Sequence, residues 1–400
     1  MMDLERDLRH LMHRTADGLQ HAPVATPGLV RRARAHRAWT AIVAGVAVLT
    51  LVVGGFAATR SLSNDQAIPP ANPRSEGIFA EVQGWMAYGC DGSNPGCAEA
   101  AEADGSAISD LHEAGTWAVD PASPGDADDR VLLTPRGGEP VAWSSDGSKL
   151  LLVRSDGPEV APDPTPPDLI VLNSDGSETR VPTDGTSVGE FAMTPEGSFS
   201  PDGSHVVYAG TDGSWPSRIY VVEVEGGTPE LLLAPGSRLY PGDTDFLAGQ
   251  PPSDRRFETS LYLPTFSPDG SQIAYFDGMG DWGHSLRVMN SDGTDIRIVV
   301  DNRVTRDGDH AWGLEWSRDG RYLAFAIGRH GVYTVGVDGS GLRLVAKDAV
   351  NPHWSPDGSR ISYTHWVERN SLGLRIATLD TGQVQRLGFA RSGPWNPLDR

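Results

Sequence analysis

The chain has 400 residues, 38% of them apolar, with 47 Gly, 30 Pro and a net charge of −20. That apolar share excludes wholesale disorder, and so many turn formers between regular apolar runs point to short strands rather than long helices. Charge is uneven: the first 60 residues hold eight Arg against four Asp and Glu, leaving 25 Lys and Arg against 49 Asp and Glu in the rest, a balance that excludes nucleic-acid binding by the larger part.

Residues 1–37 are predicted to be a short cytoplasmic segment. Leu4, Leu8, Leu11 and Met12 recur at helical spacing, which suits a helix lying near the membrane or docking a cytoplasmic partner. Residues 38–59, AWTAIVAGVAVLTLVVGGFAAT, carry no charge. As a helix they would extend about 33 Å, enough to cross a hydrocarbon core of about 30 Å. Arg31, Arg32, Arg34 and Arg37 precede the span and the following chain turns acidic. The positive-inside rule therefore places the N-terminus in the cytoplasm and everything beyond about residue 60 outside it. Residues 60–77 are polar and proline-bearing and read as a linker. A cleaved signal peptide fits less well, because its basic lead would be too long.

Residues 78–400 are predicted to form one extracytoplasmic domain. Its first part, 78–134, holds apolar runs at 85–88, 117–120 and 131–133, together with Cys90 and Cys97. Outside the cytoplasm these two cysteines are expected to form a local disulfide. It would close a short loop and contribute about 2.5 kcal/mol in the chain-entropy model.

From residue 141 one phrase recurs five times. Residues 143–153 read WSSDGSKLLLV, 199–208 FSPDGSHVVY, 266–278 FSPDGSQIAYFDG, 316–325 WSRDGRYLAF and 354–363 WSPDGSRISY. In Ser-Pro-Asp-Gly, Pro fixes φ at the second turn position, Asp suits the third and Gly accepts positive φ at the fourth. This is a tight hairpin joining strands A and B. Each copy is followed by another apolar run, a second tight turn and a fourth run, as in LRVMN-SDGT-DIRIVV over 286–300. Each unit is thus a four-stranded antiparallel meander, and its radial repetition gives a propeller. Trp143, Phe199, Phe266, Trp316 and Trp354 are expected to pack between the sheets.

The phrase [FW]-S-P-D-G-x-x-[IL]-x-[YF], with a later strand ending in N/D-x-D-G, resembles the WD40-like PD40 repeat of the TolB-type β-propeller family. The likeness covers about residues 141–387 in five units, with Ser145 and Arg318 replacing the turn proline. Residues 78–134 then supply strands B, C and D of a sixth, divergent unit. The expected fold is an all-β, six-bladed propeller of four-stranded antiparallel blades, preceded by one transmembrane helix. The tail Gly393-Pro394-Trp395-Asn396-Pro397 looks like a further strand A that would tie the ring shut; the alternative is that 78–82 supplies that strand. The resemblance implies protein contact in the cell envelope.

In a meander, A–B and C–D turns share one rim, and B–C and D–A loops the other. Here the first set is uniformly tight and the second long and varied. Variable loops on a rigid scaffold carry function, and exposed Trp and Arg anchor interfaces. The candidate partner-binding residues are Trp215, Trp282, His284, Arg329, His330, Trp366, Arg255 and Arg256, for a protein or a cell-envelope polymer. For any one Trp, folding back over a blade end is the structural alternative.

No catalytic residue, cofactor or metal ligand is assigned. Gly185-Thr186-Ser187-Val188-Gly189 matches G-x-S-x-G but lies between propeller units rather than on a strand-to-helix elbow. The acidic pairs Asp243/Asp245 and Asp307/Asp309 leave Ca²⁺ as the one ion considered. The expected function is a membrane-anchored, non-catalytic binding scaffold. The alternatives are a transmembrane sensor whose tail acts on a sigma factor or other partner, and a metal-dependent propeller hydrolase.

Overall fold

The computed structural model describes residues 77–90, 115–122, 130–154, 167–184, 186–188, 197–211, 216–239, 256–278, 284–301, 310–367, 371–387 and 393–398. The segment 1–37 expected in the cytoplasm, the expected span 38–59, the expected linker as far as residue 76, and Cys97 lie outside them, so the expected disulfide does too. Among the described residues no helix is long and apolar enough to cross a membrane.

Six antiparallel blades follow in chain order. Blade I holds Met86–Cys90 (β1), Gly115–Val119 (β2) and Arg130–Thr134 (β3). Blade II holds Glu139–Trp143 (β4), Lys149–Arg154 (β5), Asp168–Asn173 (β6) and Glu178–Arg180 (β7). Blade III has a divided inner strand, Ser187–Val188 (β8) and Ser198–Phe199 (β9), then His205–Thr211 (β10), Arg218–Glu223 (β11) and Glu230–Leu233 (β12). A two-stranded ribbon, Ser237–Leu239 (β13) with Arg256–Glu258 (β14), stands between blades III and IV. Blade IV holds Ser260–Phe266 (β15), Gln272–Gly278 (β16), His284–Asn290 (β17) and Arg297–Val300 (β18). Blade V holds Ala311–Trp316 (β19), Tyr322–Ile327 (β20), Gly331–Gly336 (β21) and Arg343–Ala346 (β22). Blade VI holds Ala349–Trp354 (β23), Arg360–Val367 (β24), Ser371–Thr378 (β25) and Val384–Arg386 (β26). Strands pair in simple sequence order within the blades.

The B strands read as unbroken apolar runs, such as Leu150-Leu151-Leu152 and Ile273-Ala274-Tyr275-Phe276, and all of these are buried. A strand with only one covered face would alternate; these have a neighbouring blade on each side. Six apolar clusters fill the six gaps between successive blades, including the gap between VI and I, where Met86 and Val119 meet Leu374, Ile376 and Leu387. The ring is therefore closed. The D strands lie outermost: Leu132, Ile298, Leu344 and Val384 stand 38–47% exposed on them.

Closure comes from the C-terminal tail, as the first of the two alternatives had it. Trp395 bridges Met86, the Ala87 amide donates to the Pro394 carbonyl at 3.0 Å, and the Asn396 amide donates to the Trp85 carbonyl at 2.8 Å. The tail thus supplies strand A of blade I. Gly393 is required, since a Cβ there would lie 1.8 Å from the Ala87 carbonyl oxygen. The other candidate, 78–82, is corrected: Gly77–Phe79 forms a 3-10 turn seated on blade II. The Ile78 amide donates to the Ser174 carbonyl at 2.8 Å, and Phe79 sets its ring edge-on to Trp143 at 4.8 Å. Both ends of the propeller therefore lie on the tight-turn rim.

Trp395 is 5% exposed, so truncating it removes a buried indole from the closing seam. Trp395→Ala is expected to destabilise the propeller by about 3–5 kcal/mol, read as a lowered denaturation midpoint. An unchanged midpoint would show that the tail does not close the ring.

Candidate functional site: the axial cavity

Each copy of the phrase builds the same turn. In blade IV the Ser267 hydroxyl donates to Asp269 Oδ1 at 2.6 Å, the Ser271 amide donates to the same oxygen at 3.0 Å, and the Gln272 amide donates to Ser267 Oγ at 2.9 Å. Ser144/Asp146, Ser200/Asp202, Ser317/Asp319 and Ser355/Asp357 repeat the arrangement. The turn glycines take φ between 66° and 71°, which side-chain-bearing residues rarely adopt. The serine binds the turn from inside and the aspartate from outside, so proline at the second position is dispensable, as Ser145 and Arg318 demonstrate.

Where the aromatic before the turn is Trp, its indole latches its blade to the preceding one. The Trp143 indole N–H donates to the Pro394 carbonyl at 3.2 Å, Trp316 to the Thr265 carbonyl at 3.1 Å, and Trp354 to the Glu315 carbonyl at 3.4 Å. The acceptor is each time the residue before the aromatic of the previous blade. Trp395 keeps the rule through a relay: it donates to Ser362 Oγ at 2.8 Å, which in turn donates to the His353 carbonyl at 3.5 Å. Phe266 has no ring donor, and there the backbone amide of Phe266 bonds Ser198 Oγ at 2.8 Å. Trp143, Phe199, Phe266, Trp316 and Trp354 are the packing residues expected from the sequence, and Trp395 of the tail joins them.

Together they enclose a cavity of about 230 Å³ on the tight-turn rim. Its wall carries the six aromatics Trp143, Phe199, Phe266, Trp316, Trp354 and Trp395. Its mouth carries the six second-turn residues Ser145, Pro201, Pro268, Arg318, Pro356 and Pro397. The inner strands of all six blades thus converge on one axis. Three charged or titratable side chains line the cavity: Glu315, Arg318 and His353. Glu315 accepts from His353 Nδ1 at 3.0 Å and from the Trp354 amide at 3.3 Å. Arg318 extends from blade V past blade VI and donates to the Pro397 carbonyl at 2.8 Å. It is a strap over the mouth, and it is exposed.

The residues expected on the long-loop rim are placed differently from one another. Trp215, Trp282 and Arg255 lie outside the described residues. Arg256 pairs with Leu239 in the ribbon, and Trp366 lies on β24 opposite Leu372. Arg329 and His330 belong to the 3-10 turn Gly328–His330, where His330 is half-buried. His284 is 2% exposed, bonded through Nδ1 to the Tyr262 hydroxyl, with its ring 5.7 Å from that of His310. It is therefore part of the blade interior and not of the surface. Beside it Asp277 forms a buried ion pair with Arg287 at 3.0 Å and accepts from Thr259.

Ser187 of the G-x-S-x-G match lies on β8, paired with Thr211. Among the described residues no three His, Cys, Asp or Glu side chains converge as metal ligands; Asp243, Asp245, Asp307 and Asp309 lie outside them.

No protein-family model matches the chain, and no curated protein matches it. Among solved structures, TolB from Acinetobacter baumannii superposes with a TM-score of 0.53 at 14% identity, covering 80% of this chain and 67% of that one. The chain has a TolB-like propeller fold. The putative TolB from Agrobacterium tumefaciens matches at 23% identity and TM-score 0.47, covering 67% of this chain and 87% of that one. An oligogalacturonate lyase in complex with manganese matches at 16% identity and TM-score 0.41, covering 62% and 63% respectively.

Sequence reasoning missed the cavity because each lining residue was already explained as core or turn. Its available signals were the departures from the phrase: Arg318 where proline recurs, and Glu315 and His353 where other copies carry Ala142, Ser198 and Thr265.

Two outcomes follow. Trp316→Phe leaves the Thr265 carbonyl without its donor and is expected to cost about 1–3 kcal/mol, against about 3–5 kcal/mol for Trp316→Ala, by chemical denaturation. No measurable loss in Trp316→Phe would mean the latch is not the hydrogen bond. The second concerns acid. Hydrogen bonds from Ser200 and Ser204 hold the Asp202 carboxyl down at about 2, below its unfolded value of about 3.9. Its contribution is therefore complete above about pH 4 and disappears as pH falls through 2. Wild type should lose stability more steeply over that window than Asp202→Asn; parallel curves would contradict it.

Proposed function

We propose that the chain is a non-catalytic binding propeller, held outside the cytoplasm by the span 38–59, and that it docks a protein partner at the axial cavity. The carrying observation is the convergence of six aromatics on one open, aromatic-walled space with Glu315 and Arg318 at its edge. Such a space suits one or two side chains of an inserted protein segment: it is smaller than the usual drug-sized pocket, and aromatic walls with a few polar groups are typical of interface hot spots. The TolB-like fold and the basic-then-apolar N-terminus support the same reading. The cavity replaces the long-loop rim as the preferred docking site, because His284, one of that rim's candidate anchors, is buried.

Photo-crosslinking side chains introduced at Ser145 and Arg318 in intact cells are expected to yield discrete protein adducts. Tyr322 and Val384, on the outer surface, serve as controls. Adducts arising only from positions 329 and 366 would move the site to the long-loop rim. Absence of adducts at 145 and 318 would defeat the cavity reading.

A further inference from the structure

Blade VI carries a second polar assembly, unrelated to the axis. On β24, Tyr363 and His365 are two residues apart and so share a face. The antiparallel register sets Arg375 of β25 opposite Tyr363, and Arg386 of β26 opposite Arg375. Opposite His365 is Gly373, which has no side chain to fill the place. This face looks toward blade V, since Ile361, Tyr363 and Ala377 pack with Ala324, Ala326 and Val332. Asp348 precedes β23, and the 3-10 turn ending in His330 packs on β23.

The charges here do not balance. In a chain of net charge −20, the described charged groups acting on His365 are two guanidinium groups, Arg375 and Arg386, and one carboxylate, Asp348. Arg375 lies beside the Tyr363 hydroxyl, and its guanidinium carries five donors. Nδ1 of His365 is buried and makes no hydrogen bond. A buried unsatisfied nitrogen costs free energy unless something meets it. Planar guanidinium forks suit phosphate oxygens, and such charge-assisted bonds are about twice as strong as neutral ones.

We propose that this polar face of blade VI, toward blade V, is a phosphate-binding site, in which Arg375, Arg386 and His365 hold the oxyanion. The group could be free inorganic phosphate or a phosphate ester, since the three residues read the shared oxyanion. Burial, then Arg375, then Arg386 lower the pKa of His365, against an opposing pull from Asp348. A bound anion counters the two guanidinium fields and raises it. His365 therefore takes up a proton on binding, and above the ester's second ionisation, at about pH 6, linkage makes affinity rise as pH falls. The site lies away from the axial cavity, so its fate is independent of the docking proposal.

Calorimetric titration of the full chain in detergent, with inorganic phosphate and separately with glycerol 3-phosphate, tests it. Saturable binding of either supports the site; binding of inorganic phosphate alone identifies the free ion, and binding of both identifies a site open to esters. Arg386→Gln, an exposed position, should weaken binding about tenfold, with partial recovery in Arg386→Lys. His365→Gln should flatten the pH dependence while leaving affinity at pH 8 nearly unchanged. No saturable binding of either probe, or equal affinity in wild type and the double variant Arg375→Gln/Arg386→Gln, would overturn the proposal.

Discussion

The inner end of every blade meets the same constraint: its aromatic must be buried while the polar backbone around it stays satisfied. Where the aromatic is Trp, the indole N–H solves both problems by reaching the carbonyl of the preceding blade. A neutral hydrogen bond of this kind contributes only about 0.5–1.5 kcal/mol. Its weight lies in geometry, because it sets the approach of two sheets that otherwise touch through non-directional apolar contact. The Ser362 relay at Trp395 and the Ser198 hydroxyl at Phe266 show that the constraint outlasts the particular side chain.

Closure is the other demand on the fold. Five gaps lie between blades that are consecutive in the chain; the sixth, between VI and I, joins segments nearly 300 residues apart. The tail meets it with backbone bonds to blade I, a buried Trp395, and Arg360 placed 5.2 Å over the indole ring. Residues 77–85 wedge blades I and II from the same rim, with Phe79 and Val82 fully buried. Both ends of the propeller are thereby used as structure, and their common rim is also where the axial cavity opens.

The departures from the repeat are where this propeller differs from an idealised one. Arg318 gives up a turn proline and gains a reach across the mouth to the tail. Glu315 and His353 put a polar pair where neighbouring blades have small side chains. Leu263 and Asn351 hold φ of 53° and 51° at bulges in the inner strands of blades IV and VI, where blade V uses Gly313. For a leucine that conformation is strained, and the deep burial of its side chain is what offsets it.

Strand order, turn type and blade number were readable from residues alone, because each depends on local chemistry. A Ser-x-Asp-Gly turn closes on its own hydroxyl, carboxylate and amides, and an unbroken apolar run announces that both faces will be covered. Three matters were decided only by the assembled ring. Which segment became the first inner strand depended on competing fits: Gly393 allows close approach to Ala87, while Gly77 allows it to Ser174 instead. That the tight-turn rim holds the cavity depended on six aromatics from distant copies converging on one axis. That His284 is buried, though it follows a loop of surface-like composition, depended on Tyr262 and His310 arriving from other strands. Local hydrogen bonding is written along the chain; the filling of shared space between segments far apart in it is not.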